Sequence, residues 1–151
     1  MAVTTANHVI PLVSSGVAGP LGVDHLPRLW LKLTLGANNS LPEGYDECGP
    51  GFDAMTLSAL HLDRDKTMEF VRKEKPTYMQ FEQWVLDQNG GSIDTERIER
   101  HNRAVRGYHH SEGLAEEIRT SCGCKNADVM DAVTLNMIED LDAFHKQLSG
   151  K

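Results

Sequence analysis

Helix-start signals recur along most of this chain, and they constrain its fold more than any other feature of the sequence. Thr77 is followed three residues later by Gln80, a pairing in which a hydroxyl and an amide cap a helix N-terminus reciprocally. Asp63, and Ser92 or Asp94, open other helical stretches in the same way. Apolar residues spaced three and four apart follow each signal, which is the period of an amphipathic helix. We therefore expect an all-α protein, a compact single-domain bundle of about six or seven short helices.

The expected helices lie between residue 24 and the C-terminus. Pro27 suits a first helical turn, and a helix is favoured from about residue 26 to Gly36. A strand is the alternative for residues 28–35, because four leucines there alternate with other residues. The later helices are expected over about residues 52–61, 63–73, 77–89, 94–106, 111–121 and 128–148. On the last of them, apolar residues form a stripe that predicts a face directed into the core: Met130, Val133, Met137, Leu141, Phe144 and Leu148.

Two stretches lack a regular period. Residues 1–23 predict a loosely ordered N-terminal arm without a helix, docked by Val9, Ile10, Leu12 and Val13. Residues 36–51 are rich in glycine, proline and asparagine, and they predict a long connecting loop. Residues 24–151 are expected to form one helical domain.

Charge and cysteine content exclude several functional classes. A formal charge of −7 and a pI near 5.4 disfavour nucleic-acid binding. No apolar stretch approaches the roughly 20 residues that a membrane-spanning helix needs. The three cysteines, Cys48, Cys122 and Cys124, cannot all pair with one another, and the N-terminus lacks the pattern of a signal peptide. We therefore expect a soluble cytoplasmic protein.

The candidate site residues are polar groups where apolar ones would be expected. His101 and Asn102 interrupt the inward face of their helix between Ile98 and Val105. An imidazole and an amide there could bind a small polar ligand or exchange a proton. The alternative is that both side chains satisfy a loop carbonyl or a helix end. The other residues expected to line the same pocket are Tyr108, His109, Asn136 and Asp140.

The remaining polar patterns predict no metal and no cofactor. His109 and His110 are adjacent, and Cys122-Gly123-Cys124 is a single pair where zinc signatures usually show two. Arginines recur every three residues from 97 to 106 and could clamp an anionic small molecule. Glutamates four residues before two of these arginines favour instead an ordinary solvated helix face.

Several separated blocks carry a resemblance to a known family. They are AGP at 18–20, HLPRLWLK at 25–32, LPEGY at 41–45, CGPGFD at 48–53, AVRGY at 104–108 and DAVTLN at 131–136. Together they resemble a family of small, uncharacterised bacterial proteins catalogued as a domain of unknown function. The resemblance implies a bacterial, mostly helical, single-domain protein, and it assigns no catalytic residue.

Two functions follow from these patterns. The first is a small-ligand-binding protein or small enzyme, with a polar His/Asn/Tyr pocket and acid–base chemistry by a histidine. The second is a non-catalytic module for protein interaction or self-association. The first requires a concave polar pocket, whereas the second requires an exposed apolar patch.

Overall fold

The computed structural model describes residues 7–150, and within that range the chain forms seven α-helices and no strand. The all-α prediction is confirmed, and residues 28–35 are helical. The helices are α1 Leu26–Ala37, α2 Phe52–Ala59, α3 Arg64–Glu74, α4 Tyr78–Gln88, α5 Thr95–Arg106, α6 Glu112–Cys122 and α7 Ala132–Ser149. No helix among the described residues is long and apolar enough to cross a membrane.

Side-chain caps fix most of the helix starts. Thr77 Oγ1 accepts a hydrogen bond from the Gln80 amide at 3.2 Å, and Gln80 Oε1 accepts one from the Thr77 amide at 2.9 Å, so the expected capping box is present. α7 begins at Ala132, four residues later than expected. The cause is Asp131, whose carboxylate accepts from the Thr134 amide at 2.9 Å and makes it the N-cap in place of Asp128.

The main hydrophobic core surrounds α1, which packs against α3 and α4. Leu26, Leu29 and Leu33 of α1 are fully buried, as is Phe81 of α4. A smaller cluster joins α6 to α7 through Ala115, Ile118 and Leu135. Because α1 is covered on several sides, its polar residues Arg28 and Lys32 are also buried, and this burial brings charge into the interior.

Most of the apolar stripe at α7 does not face the core, so the prediction of a stripe directed into the core was wrong, although Met130, just before the helix, packs against the α6–α7 cluster. Met137, Leu141, Phe144 and Leu148 are 39%, 51%, 37% and 72% exposed. α7 packs on α6 through Leu135, and a residue two positions further along a helix points about 200° away. The contact with α6 therefore turns most of the stripe toward solvent.

The N-terminal segment runs antiparallel to α7. Gln147 Nε2 donates to the His8 carbonyl at 2.7 Å, and Gly16 lies against the side chain of Val133 near the other end of the helix. Residues 7–23 contain no helix, as predicted. Ile10 is buried as its docking residue, whereas Val9 and Leu12 are nearly half exposed. Residues 1–6 of the predicted arm lie outside the described residues.

Candidate functional site

A polar cavity of about 390 Å³ lies where α1, the N-terminus of α2, α7, the 38–51 loop and the N-terminal segment meet. That volume is within the range of small-molecule sites. The polar and ionisable side chains that line it are Ser15, His25, Arg28, Lys32, Glu43, Tyr45, Asp46, Asp53, Asn136, Glu139 and Asp140. Six of them are buried: Ser15, His25, Arg28, Lys32, Asp53 and Asp140.

Asp53 organises the first of two buried networks at this cavity. It lies in the first turn of α2, where the helix dipole favours a carboxylate. Oδ2 accepts from Lys32 Nζ at 2.5 Å and from the Gly49 amide at 2.8 Å, and Oδ1 lies 2.6 Å from His25 Nε2. Burial alone would raise the pKa of Asp53, but the hydrogen bond from His25 and the charge of Lys32 outweigh it and lower the pKa to about 2. The carboxylate is therefore ionised at neutral pH.

His25 links Asp53 to Ser15. Its Nδ1 lies 2.9 Å from Ser15 Oγ, and both residues are 2% exposed. Burial lowers the pKa of His25 and outweighs the opposing hydrogen bond and charge of Asp53, so the ring is neutral at pH 7. A neutral imidazole has one N–H, and an ionised carboxylate can only accept. Nε2 therefore carries the proton toward Asp53, and Nδ1 accepts the hydrogen bond from the Ser15 hydroxyl.

The backbone of His25 is also unusual. It is the N-cap of α1, and its φ of 74° places it in the left-handed region that non-glycine residues rarely adopt. The imidazole packs against Phe52, with ring centroids 5.6 Å apart. The contacts of both ring nitrogens and the packing against Phe52 thus hold the side chain in one orientation.

Arg28 and Asp140 form the second network. Arg28 donates two hydrogen bonds to the Asp140 carboxylate, at 2.7 and 3.2 Å, and Tyr45 donates a third at 2.9 Å. Burial and the charge of Asp140 raise the pKa of Tyr45, which keeps its hydroxyl a donor. Arg28 also donates to the carbonyls of Pro11 and Val13, so the same guanidinium joins α7 to the N-terminal segment.

The rim of the cavity carries unpaired acids. Glu43, Asp46 and Glu139 line it, and none of them forms an ion pair within residues 7–150. Burial, and then the charge of Asp140, raise the pKa of Glu139. Since Arg28 and Lys32 are each matched by a buried aspartate, these three acids leave the lining with an excess of negative charge.

Asn136 and Asp140, both expected from the sequence as site residues, line this cavity. His101 and Asn102 do not. His101 Nε2 lies 3.0 Å from the Asp24 carbonyl oxygen and 3.4 Å from Thr56 Oγ1, and it is 6% exposed. Asn102 donates to the Gly22 carbonyl at 2.8 Å and accepts from the Asp24 amide at 2.9 Å. These contacts hold the turn before α1, which is the structural alternative raised by the sequence.

Tyr108 borders a neighbouring recess of about 360 Å³ rather than the main cavity. It meets Phe52 edge to face, with ring centroids 5.7 Å apart. Asn136 lines both spaces, so the recess and the cavity share a wall. His109 is exposed and forms an isolated bridge with Asp131 at the start of α7.

Most of the buried ionisable residues were not predicted from the sequence as site residues. Arg28 and Lys32 gave one usable signal: they are four residues apart on a helix that is otherwise apolar, so they share a face. His25, Asp53 and Ser15 gave none, because they come from separate segments and meet only in the folded chain.

None of the three cysteines lines the cavity, although Cys48 directly precedes Gly49, whose amide donates to Asp53. Cys48 is buried in the main core, and burial raises the pKa of its thiol. Cys122 packs against the small α6–α7 cluster, and Gly123 after it is left-handed at φ 75°, as expected for a helix C-cap. Within residues 7–150 no three His, Cys, Asp or Glu side chains are placed to hold a metal ion together.

No family model matches the chain, and no curated protein matches it either.

Proposed function

We propose that the cavity binds a small polar molecule that carries a positive charge, and that the protein is a small-ligand-binding protein or a small enzyme. The supporting observation is the concentration of five buried ionisable side chains at one cavity: His25, Arg28, Lys32, Asp53 and Asp140. Moving charged groups out of water is costly, and apolar residues of similar volume often stabilise a fold as well or better. A role in ligand binding would explain why these charged residues are buried together, whereas a contribution to fold stability would not.

The acids at the rim support the sign of the ligand charge. Arg28 and Lys32 are neutralised by Asp140 and Asp53 at 2.7 and 2.5 Å, whereas the rim carboxylates form no ion pair among the described residues. Among residues 7–150, Lys32 Nζ makes one hydrogen bond, to Asp53, and an ammonium has three donors. The cavity thus offers carboxylates to a cation at its mouth and N–H donors to a polar group inside. This sign differs from the anionic ligand that the arginines of α5 suggested.

Three probes of equal size and different charge test the proposal: benzylamine, benzyl alcohol and benzoate. Their binding is followed by amide NMR at three cavity glycines, Gly44, Gly49 and Gly51, with Gly107 and Gly113 as glycines outside the lining. We expect benzylamine to shift the cavity glycines at millimolar concentration and to bind at least tenfold more tightly than benzoate. Added salt should reduce that preference, because it screens exposed charges.

Glu139→Gln removes one rim charge and should weaken benzylamine binding severalfold. Glu116→Gln, on the exposed part of α6, is the matched control and should leave it unchanged. Binding of benzoate as tight as that of benzylamine would refute the charge preference. If none of the probes shifts the cavity glycines, the binding function itself is wrong.

A bacterial origin and a cytoplasmic location are also part of the proposal. The six sequence blocks support membership of the family of unknown function that they resemble. Three free cysteines support a reducing compartment, because disulfides form and persist mainly in oxidising ones.

Self-association through the exposed stripe of α7 is the second candidate function. Large apolar side chains that lie in one row along a helix are typical of interaction surfaces. Two copies of one helix face can pair about a twofold axis, since each copy then presents the same row to the other. We favour a second copy as the partner because the exposed row extends over three turns, from Met137 to Leu148, and a second copy would bring an apolar row of the same length.

Light scattering after gel filtration tests this candidate. A dimer that becomes a monomer in Leu141→Glu would support it. Met79→Glu is the control: Met79 is 55% exposed, and it lies on α4, which packs against α1. A wild-type monomer at high protein concentration would contradict self-association.

A further inference from the structure

Ser15, His25 and Asp53 form a linear chain of hydrogen bonds at one wall of the cavity. The distances are 2.9 Å from Ser15 Oγ to His25 Nδ1 and 2.6 Å from His25 Nε2 to Asp53 Oδ1. A hydroxyl bonded to a base that is oriented by a third group is the general signature of an activated nucleophile. Relative to the arrangement usual in serine hydrolases, the two ring nitrogens have exchanged partners. Either ring nitrogen can accept a proton, so His25 can still act as the general base for Ser15 through Nδ1.

We infer that Ser15 is a nucleophile for acyl transfer, with His25 as its general base and Asp53 as the group that orients the base. The inference rests on the proposed function in one respect, because a substrate must first enter the cavity. The substrate class is an ester, or another activated acyl compound, with a cationic group.

The chemistry balances with water as the second substrate. Ser15 Oγ forms a bond to the acyl carbon while its proton passes to His25 Nδ1. The bond between the acyl carbon and the leaving oxygen then breaks, and the leaving group takes the proton from His25. Water then attacks the acyl carbon and gives a proton to His25. The bond between that carbon and Ser15 Oγ breaks, the acid leaves, and Ser15 Oγ takes the proton back from His25.

Three features of the chain support a reactive role for Ser15. Because the His25 ring is neutral and Asp53 is ionised, the ring proton lies on Nε2, toward Asp53, and Nδ1 is left to accept from Ser15. The left-handed backbone of His25 is a strained state of the kind found at functional sites. Ser15 also lies in a tight turn, in which the Val17 amide donates to the Ser14 carbonyl at 3.2 Å, and it borders the cavity.

Two sulfonyl fluorides test the inference: 4-(2-aminoethyl)benzenesulfonyl fluoride, which is cationic, and phenylmethanesulfonyl fluoride, which is neutral. Ser15 Oγ would form a bond to sulfur, the S–F bond would break with release of fluoride, and the proton would leave through His25. Tandem mass spectrometry locates the label. We expect Ser15 to be modified at least ~100-fold faster than a serine in a short model peptide, since general-base catalysis contributes about 10²–10⁴-fold.

The neighbouring serine supplies a matched control. Ser14 Oγ accepts from the Gly16 amide and has no histidine partner in the described residues. Ser15→Ala should abolish the label, and Ser14→Ala should leave its rate unchanged. His25→Asn, a residue that tolerates the left-handed backbone, should slow labelling of Ser15 at least ~100-fold. Labelling of Ser14 and Ser15 at equal rates would overturn the inference.

The pH profile of the wild-type protein gives a test that needs no variant. His25 faces Asp53 from α2 and Lys32 and Arg28 from α1, and burial in their midst lowers its pKa below 6.5. The labelling rate should therefore rise with pH to a midpoint below 6.5 and be constant above neutrality. A rate that climbs steadily into the alkaline range indicates an unassisted hydroxyl and overturns the inference.

The outcomes separate this inference from the proposed function. Binding of benzylamine without any label on Ser15 leaves the ligand site in place and removes the nucleophile. Equal labelling by the cationic and the neutral reagent leaves the nucleophile in place and removes the charge preference.

Discussion

Replacement of Asp140 by asparagine measures what the buried ion pair contributes to stability. Asp140 is 4% exposed and accepts two hydrogen bonds from Arg28 and one from Tyr45. Asparagine keeps the shape but removes the charge, and it places an NH₂ group opposite one of these donors. The guanidinium of Arg28, itself 6% exposed, is then left without a counter-charge.

The expected loss follows from these contacts. Breaking a buried pair by removing one partner costs about 3–5 kcal/mol. Arg28 keeps two carbonyl acceptors, at 2.6 and 2.8 Å, so the lower end applies and we expect about 3 kcal/mol. For a chain of this size that corresponds to a fall of roughly 6–12 °C in Tm. Urea denaturation followed by circular dichroism at 222 nm measures the free energy of unfolding directly.

Asp142→Asn is the matched control, two residues further along the same helix. Asp142 pairs with Lys146 at i,i+4, and the lysine side chain is 57% exposed. Such a pair contributes about 0.3–0.5 kcal/mol. If the two asparagine variants lose equal stability, or if Asp140→Asn loses less than about 1 kcal/mol, the reasoning about the buried charge is wrong.

Three further predictions concern pH, packing and capping. As pH falls, the free energy of unfolding should first decrease below pH 6.5, because the unfolded chain takes up a proton at His25 more readily than the folded chain does. It should decrease again, by about 2 kcal/mol, between pH 3.8 and about 2, where the Asp53 carboxylate loses its charge. Acid titration of the free energy of unfolding measures both steps. Gly19→Ala should cost about 1–3 kcal/mol in urea denaturation, because the added Cβ would lie 2.6 Å from a carboxylate oxygen of buried Glu82, whereas Gly113→Ala, in open space, should not destabilise. Thr77→Ala should lower the denaturation midpoint by the equivalent of about 1 kcal/mol, because it removes the cap of α4, and an unchanged midpoint would contradict that role.

The helices could be predicted because their signals are local. Thr77, Asp63 and Asp94 each bond an amide three residues ahead, and Gly123 ends α6 in the left-handed region. Each of these contacts lies within one helical turn, so the residues that form it are close together in the sequence.

Which face of α7 is buried depends instead on its neighbours. A periodic stripe identifies an apolar face but not whether anything covers it, and here α6 contacts the face that contains Leu135. The same limit applies to the site. Ser15, His25 and Asp53 are separated by 10 and 28 residues, and only the path of the N-terminal segment along α7 brings Ser15 to the ring. The polar residues that interrupt an apolar face, His101 and Asn102, hold the turn that leads into α1.

We expect the pair of Arg28 and Asp140 to hold the N-terminal segment in place, in addition to its contribution to the free energy of unfolding. A double variant, Arg28→Met with Asp140→Leu, removes both charges, and such replacements are often neutral for the fold. The double variant also removes the donor of the Pro11 and Val13 carbonyls. We expect these two carbonyls to form hydrogen bonds with water only if the N-terminal segment moves away from α1. We expect the helical content to survive while the Val9 amide, which donates to Ser40 in the intact protein, exchanges quickly with solvent. Sulfonyl fluoride labelling of Ser15 should fall to the rate of the model peptide, because the serine would no longer meet His25. Retention of slow exchange and fast labelling in this variant would show that the segment is held by its apolar contacts alone.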